Sequence, residues 1–266
     1  MKTLRMSAGA LVIALIVTGC AHAPSRSLGA NDTVFQVSTI NALMLGLYDG
    51  AYTVGDLRRH GDIGLGTFNQ LDGEMVVLDG EVFQVRSDGK AYRVADTTQT
   101  PFATVTAFEA DARMTLASVK DFETLEHAVS QLADNDNLFH AIRITGQFKY
   151  VKTRAVPKQS KPYAPLVEVT KHQPEFELHD VSGTIVGFWT PAYAQGLNVA
   201  GYHLHFLNDA RTLGGHLLDC TIEHAVLEID TSRTFEVLLP SGDEFKNVNL
   251  NQDLSNEIRQ VEKKRN

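Results

Sequence analysis

The stretch Gly201-Tyr202-His203-Leu204-His205-Phe206-Leu207, followed by Gly214-Gly215-His216-Leu217-Leu218, decides how this chain is read. Tyr, Phe and Leu around the first two histidines give the segment strand character. Side chains in a strand alternate faces, so His203 and His205 point one way and Leu204 the other. Asn208-Asp209 and Gly214-Gly215 carry turn chemistry. The chain therefore reverses and returns as a neighbouring strand that starts at His216. Three imidazoles then converge from two paired strands. Three neutral nitrogens suit Zn²⁺ or a similar divalent ion and leave one position open for water or substrate. The chain has 10 histidines, so some fall close by chance, and a lone His-x-His is weak. The third histidine after a glycine turn favours the metal reading.

Cys220 lies at even spacing from His216, and strict alternation puts it on the same face. It is the only cysteine besides Cys20. A single mature cysteine forms no internal disulfide, and a buried, inert thiol is expected.

The region before the fold reads as targeting. Lys2 and Arg5 precede the apolar run Ala8 to Val17, which is too short to span as a mature helix. It ends in Val17-Thr18-Gly19-Cys20, similar to the lipobox of bacterial lipoproteins, with Cys20 as the lipidated residue. The alternative is a plain secretory signal with an incidental cysteine. Ala21 after the cysteine reads as an outer-membrane address, at the periplasmic face. Residues 1–19 are thus expected to be signal and 20–33 a tether.

From residue 34 onward the chain is strand-rich. Met75-Val76-Val77-Leu78 and Glu81-Val82-Phe83-Gln84-Val85 flank Asp79-Gly80 as a hairpin. Ser118 to Leu132 repeats Phe122, Leu125, Val129 and Leu132 on one helical side. Thr53 caps a short helix with Asp56 in a capping box. The glycines of 61–66 do not match a dinucleotide fingerprint and instead permit a tight path beside a pocket. Few helices among many strands give an α+β fold with mixed or antiparallel sheets and the metal site on paired strands. We expect an N-terminal sheet domain over 34–150 and a metal-binding domain over 151–266. A net charge of -8 and no long basic run argue against nucleic acid. There is no Ser-His-Asp elbow, phosphate loop or Cys-x-x-Cys pair.

Read from the residues alone, Arg154 among Lys149, Lys152 and Lys158 is a surface arginine. Glu74 is an ordinary turn acid, one of 32 acidic residues. The C-terminal run with Glu257, Arg259, Glu262, Lys263 and Lys264 resembles a charged tail, in which Ile258 and Val261 are spaced to dock one helical turn.

Taken together, several segments resemble bacterial α-acetolactate decarboxylases. They are Thr39-Ile40-Asn41-Ala42-Leu43-Met44-Leu45-Gly46, Gly61-Asp62-Ile63-Gly64-Leu65-Gly66-Thr67-Phe68-Asn69, Leu71-Asp72-Gly73-Glu74-Met75, Arg154-Ala155-Val156-Pro157-Lys158-Gln159 and the two histidine segments. They run in the family's order over most of the chain after the tether. The resemblance implies a two-domain α/β protein, usually a homodimer, that converts α-acetolactate, a small anionic 2-hydroxy-3-oxo acid, to (R)-acetoin and CO₂. It implies Zn²⁺ on His203, His205 and His216, with Arg154 holding the substrate beside it. Thr67 would be a pocket residue, and Glu74 and Glu262 would face the same cleft, Glu262 on a tail that returns to it. The chemistry is coherent. A metal that chelates the substrate's carbonyl and hydroxyl oxygens stabilises the enediolate left by CO₂, and a glutamate must return a proton to one face. Rival readings are a three-histidine zinc lyase of the carbonic anhydrase type, whose third histidine should lie farther along the chain, and a cupin, which wants a glutamate shortly after His205. A non-enzymatic periplasmic zinc-binding or adhesion lipoprotein would bind metal without turnover.

Overall fold

Alternation of apolar and polar residues builds two large sheets, beside a two-stranded ribbon of residues 52–53 and 99–100, and the facing sides of the large sheets hold the histidines. The computed structural model describes residues 32–133 and 135–262. The expected signal at 1–19, Cys20 and nearly all of the tether lie outside them. In chain order the strands are β1 (Thr33–Val37), β2 (Tyr52–Thr53), β3 (Ile63–Thr67), β4 (Glu74–Leu78), β5 (Glu81–Val85), β6 (Ala91–Arg93) and β7 (Gln99–Thr100). They continue as β8 (Ala103–Thr106), β9 (Ala112–Val119), β10 (Phe139–Arg154), β11 (Glu175–Thr190), β12 (Gly201–Asn208), β13 (Gly214–Ser232) and β14 (Thr234–Leu238). Among the described residues six α-helices punctuate them: α1 (Ile40–Met44), α2 (Val54–Leu57), α3 (Phe122–Ala133), α4 (Leu166–Val169), α5 (Asp243–Asn247) and α6 (Ser255–Glu262).

A seven-stranded sheet runs in the order β14-β1-β8-β3-β4-β5-β6. It is antiparallel except for β14, which lies parallel to β1. The expected hairpin is β4–β5, and Asp79 and Gly80 both take positive φ, at 54° and 72°, as a tight two-residue connection requires. Both faces of this sheet are buried. Met75 and Val77 pack outward with Val54 and Leu57 of α2. Val76 and Leu78 pack inward on Val186 and Leu207 of the second sheet and on Ala155 just after β10.

The second sheet is antiparallel, ordered β10-β11-β12-β13-β9, and β10 also pairs with β13. Leu125 and Val129 of α3 cover its outer face. Each such buried side chain contributes about 1.5–3 kcal/mol. The expected domain division after residue 150 falls inside β10, a 16-residue strand hydrogen-bonded to β11 up to Arg154. A boundary cannot cut a continuous ladder. The chain divides by sheet instead, with residues 112–232 in the second sheet and β14 returning to the first.

Candidate active site

Strand alternation works as read at the first two histidines. Leu204 and Phe206 join the apolar core under α3, while His203 and His205 turn toward the first sheet. The reversal into β13 is organised by Asn208, whose side-chain oxygen accepts from the N–H groups of Thr212 and Leu213 at 2.8 and 2.9 Å. His205 then pairs directly with His216, and His216 with Arg154. Gly215 precedes His216 with φ 136°, and a Cβ there would lie 2.5 Å from the Arg154 carbonyl oxygen. Only glycine lets the two backbones come that close.

Beyond His216 the alternation breaks. The ladder pairs Thr153 with Leu217 and Lys152 with Asp219, so Leu218 is an extra residue in β13. This bulge reverses the parity. Cys220 therefore joins Leu217, Phe148 and Val151 in the core on the far side, away from the histidines. The expectation that it shares their face is corrected; that it is buried holds.

The three imidazole rings lie with centroids 5.1, 5.2 and 5.3 Å apart, and one nitrogen from each falls within 4.8 Å of the others. Burial pushes all three well below the usual imidazole range, His203 to about 3, and the Arg154 cation pushes the same way. They are neutral and carry lone pairs. His205 Nδ1 donates to the Met75 carbonyl at 2.7 Å, which leaves Nε2 as the unprotonated nitrogen. That Nε2 is buried and has no hydrogen-bond partner, as is His203 Nδ1. Converging neutral nitrogens with an orphaned lone pair are the donor set of a divalent ion. The site fits one.

Two carboxylates approach the cluster without bonding to it. Glu74 Oε2 is 3.7 Å from His205 Nε2, and Glu262 Oε2 is 3.5 Å from His216 Nε2 and 4.0 Å from His203 Nε2. These gaps are too long for hydrogen bonds. Burial raises both acids to about 7, against the opposing pull of Arg154; the Val156 N–H also lowers Glu74, and Glu262 raises it. Glu74 opens β4, where its parity with Val76 turns it inward, opposite Thr67 in register. It is buried rather than an ordinary turn acid. Arg154 ends β10 and is only 3% exposed, so the surface reading from its lysine neighbours is overturned. One guanidinium nitrogen donates to Gln173 Oε1 at 2.9 Å. Gln173 carries no local sequence signal and was not anticipated. Thr67 Oγ1 donates to the Gly73 carbonyl at 2.7 Å, so the hydroxyl faces the site as an acceptor.

Glu262 arrives from the far end of the chain on α6. Ile258 and Val261 of that helix are buried against Ile40, Leu43, Val156 and Leu166, as their spacing predicts. The cavity measures about 40 Å³ and touches Thr67, Glu74, Arg154, His203, His216 and Glu262. Ile40, Leu43, Leu71, Phe102 and Val261 form its apolar side. A water needs roughly 10–15 Å³ measured this way, so the space admits only a few small groups. Six of the sequence-derived site residues thus line this cavity, and His205 joins the histidine cluster beside it.

Comparison with known proteins gives one answer. Residues 34–252 match the family described as alpha-acetolactate decarboxylase. A Methylococcus capsulatus protein of that description is 49% identical over 236 residues, covering 88% of this chain and 91% of its own. One from Methanosarcina mazei is 46% identical over 240 residues, covering 90% and 83%. The crystal structure of alpha-acetolactate decarboxylase from Bacillus subtilis strain 168 superposes with a TM-score of 0.85 at 41% identity, covering 87% of this chain and 100% of that one.

Proposed function

The chain belongs to the alpha-acetolactate decarboxylase family of lyases, and from that premise we propose that it converts α-acetolactate to (R)-acetoin and CO₂ with Zn²⁺ on His203, His205 and His216. The observation that carries the reading is the meeting of three neutral imidazoles, a buried arginine, the buried Glu74 and the largely covered Glu262. When bound, the ion supplies Lewis acidity that draws the electrons released with CO₂ toward oxygen.

The protein's own groups do the rest. Arg154 binds and orients the anionic substrate through its planar fork. Gln173 holds that fork from behind. As the C–C bond to the carboxylate breaks, CO₂ departs and the electron pair remains on the substrate as an enediolate. Glu74 or Glu262 delivers the proton that forms the new C–H bond. The two acids approach the cluster from β4 and α6, on different elements, so delivery by one of them would reach one face and set the product's handedness. The apolar side of the cavity excludes water and strengthens these charge interactions.

A carbonic anhydrase reading wants its third histidine farther along the chain than His216, and a metal-binding adhesion role would want an accessible ion rather than buried ligands. We further propose a homodimer exported to the periplasmic face of the outer membrane and anchored at Cys20. Membrane fractionation of Cys20→Ser and light scattering test these two points, and a soluble wild type or a monomer would reject them. The function itself is tested by incubating purified protein with racemic α-acetolactate and following CO₂ and acetoin, alongside metal analysis of His205→Ala. Turnover in the wild type, with loss of both metal and turnover in the variant, is expected. Full zinc occupancy and normal rate in His205→Ala would reject the ligand set.

A further inference from the structure

Among the described residues, Glu262 is the only charged group lining the cavity that does not sit on a strand. Its placement depends on what holds a short terminal helix. α6 spans eight residues, and among its side chains only Ile258 and Val261 are buried. Helices this short are marginal unless neighbours fix them. The segment that leads into α6 is fixed at a specific point. The Asn41 side-chain amide, on α1, donates to the carbonyls of Leu250 and Gln252 at 3.2 and 3.5 Å. Just beyond, Asp253 accepts from the Ser255 N–H at 3.0 Å at the start of α6 and from Gln195 at 3.4 Å.

Asn41 is 8% exposed, and α1 is itself held rigidly. Thr39 caps it, and the Ile40 and Asn41 N–H groups donate to Leu197 and Gly196 carbonyls at 2.9 and 3.2 Å. The same helix presents Ile40 and Leu43 to the cavity. One face of α1 therefore walls the site while Asn41 grips the arm that carries Glu262. The amide oxygen Oδ1 is buried with no hydrogen-bond partner. A buried acceptor without a partner is unfavourable. The side chain thus serves the arm through its donor end alone, which gives it the look of a fastening rather than of a satisfied core amide.

We propose that Asn41 is a positioning residue for decarboxylation, which sets the distance of Glu262 from His203 and His216 through the 250–252 carbonyls. The proposal rests on the reading that Glu262 acts in the reaction. Loosening the arm lets the carboxylate drift, and a displacement near 1 Å lowers a rate by up to about 100-fold. Asn41→Ala removes the donor. Asn41→Asp keeps the shape but aims a carboxylate at two carbonyls, so it should be the worse of the two.

The test is a double-mutant cycle on α-acetolactate turnover with Asn41→Ala, Asn41→Asp, Glu262→Gln and the Asn41→Ala/Glu262→Gln pair. Circular dichroism and metal content check each protein. The expected result is a fall in kcat of about tenfold or more for Asn41→Ala with KM little changed, normal metal content, and almost no further loss when the change is added to Glu262→Gln. Faster hydrogen exchange confined to 250–262 should accompany it. Wild-type kcat in a folded Asn41→Ala alongside an impaired Glu262→Gln would overturn the proposal. So would losses that multiply independently, since they would place Asn41 outside the Glu262 arm. If Asn41→Ala does not fold, Asn41→Ser, which keeps a shorter donor, is read in the same cycle. A fully active Glu262→Gln would instead reject the parent reading of Glu262, and that outcome is visible before any Asn41 variant is made.

Discussion

Replacing Arg154 with lysine separates charge from shape. Both side chains are cations, but only arginine offers two parallel donors in one plane. Arg154 is buried at the end of β10, in direct register with His216, with one nitrogen already committed to Gln173. A lysine can reach either Gln173 or the substrate carboxylate, not both with the same geometry. A hydrogen bond to a charged group is worth about 1.5–3 kcal/mol, so losing one bond of the fork and misaligning the other should together raise the barrier by about 2–4 kcal/mol. At about 1.4 kcal/mol per tenfold, that is a fall of roughly 30- to 1,000-fold in kcat/KM. The assay is initial-rate CO₂ release from α-acetolactate, with zinc content and melting temperature recorded on the same preparation. Gln173→Leu serves as the companion variant, because it frees the guanidinium without changing its charge, and it should lose less than Arg154→Lys. Retention of wild-type kcat/KM by a folded, metal-loaded Arg154→Lys would refute the reasoning, since a point charge would then suffice.

Two further outcomes follow from the geometry. Glu74→Gln and Glu262→Gln should each fold and bind metal, and the one that supplies the proton should lose rate and yield acetoin of eroded handedness by chiral chromatography; wild-type rate and handedness in both would remove the acids from the reaction. Away from the site, burial raises the Glu228 carboxyl, but hydrogen bonds and charges from Arg143 and Arg113 outweigh it and hold it below its ordinary 4.5. A depressed carboxyl stabilises the fold above its unfolded value and loses that stabilisation as pH falls through its folded value. The melting temperature should therefore drop below about pH 4.5, and Glu228→Gln should be less stable at neutral pH with a flatter acid limb; an unchanged melting curve would refute this pairing.

Much of the site was legible because strand alternation is a local rule. His203, Leu204 and His205 obey it, and the turn to His216 is marked by its own residues. The docking of Ile258 and Val261 was legible for the same reason, through helical spacing. What failed had non-local causes. Nothing around Leu218 announces a bulge, which arises from how β13 must fit β10, and so the face of Cys220 was misjudged. The division expected after residue 150 fails because β10 runs on to Arg154, with β11 and β13 paired to it on both sides. Burial of Arg154 and Glu74 depends on a second sheet laid over them, and no pattern within their own segments encodes that.

The hydrogen bond from His205 to the Met75 carbonyl joins the two sheets, since the ring belongs to one and the oxygen to the other. The imidazole's orientation is therefore a gauge of the gap between them. At 2.7 Å the bond is short, and widening the gap by about 1 Å would release the ring. Affinity for an ion at this site would then follow the seating of one sheet on the other, so substitutions between the sheets at Val76, Val186 or Leu207 become tuning positions for metal retention. Substitutions on the outer faces leave the gauge unmoved.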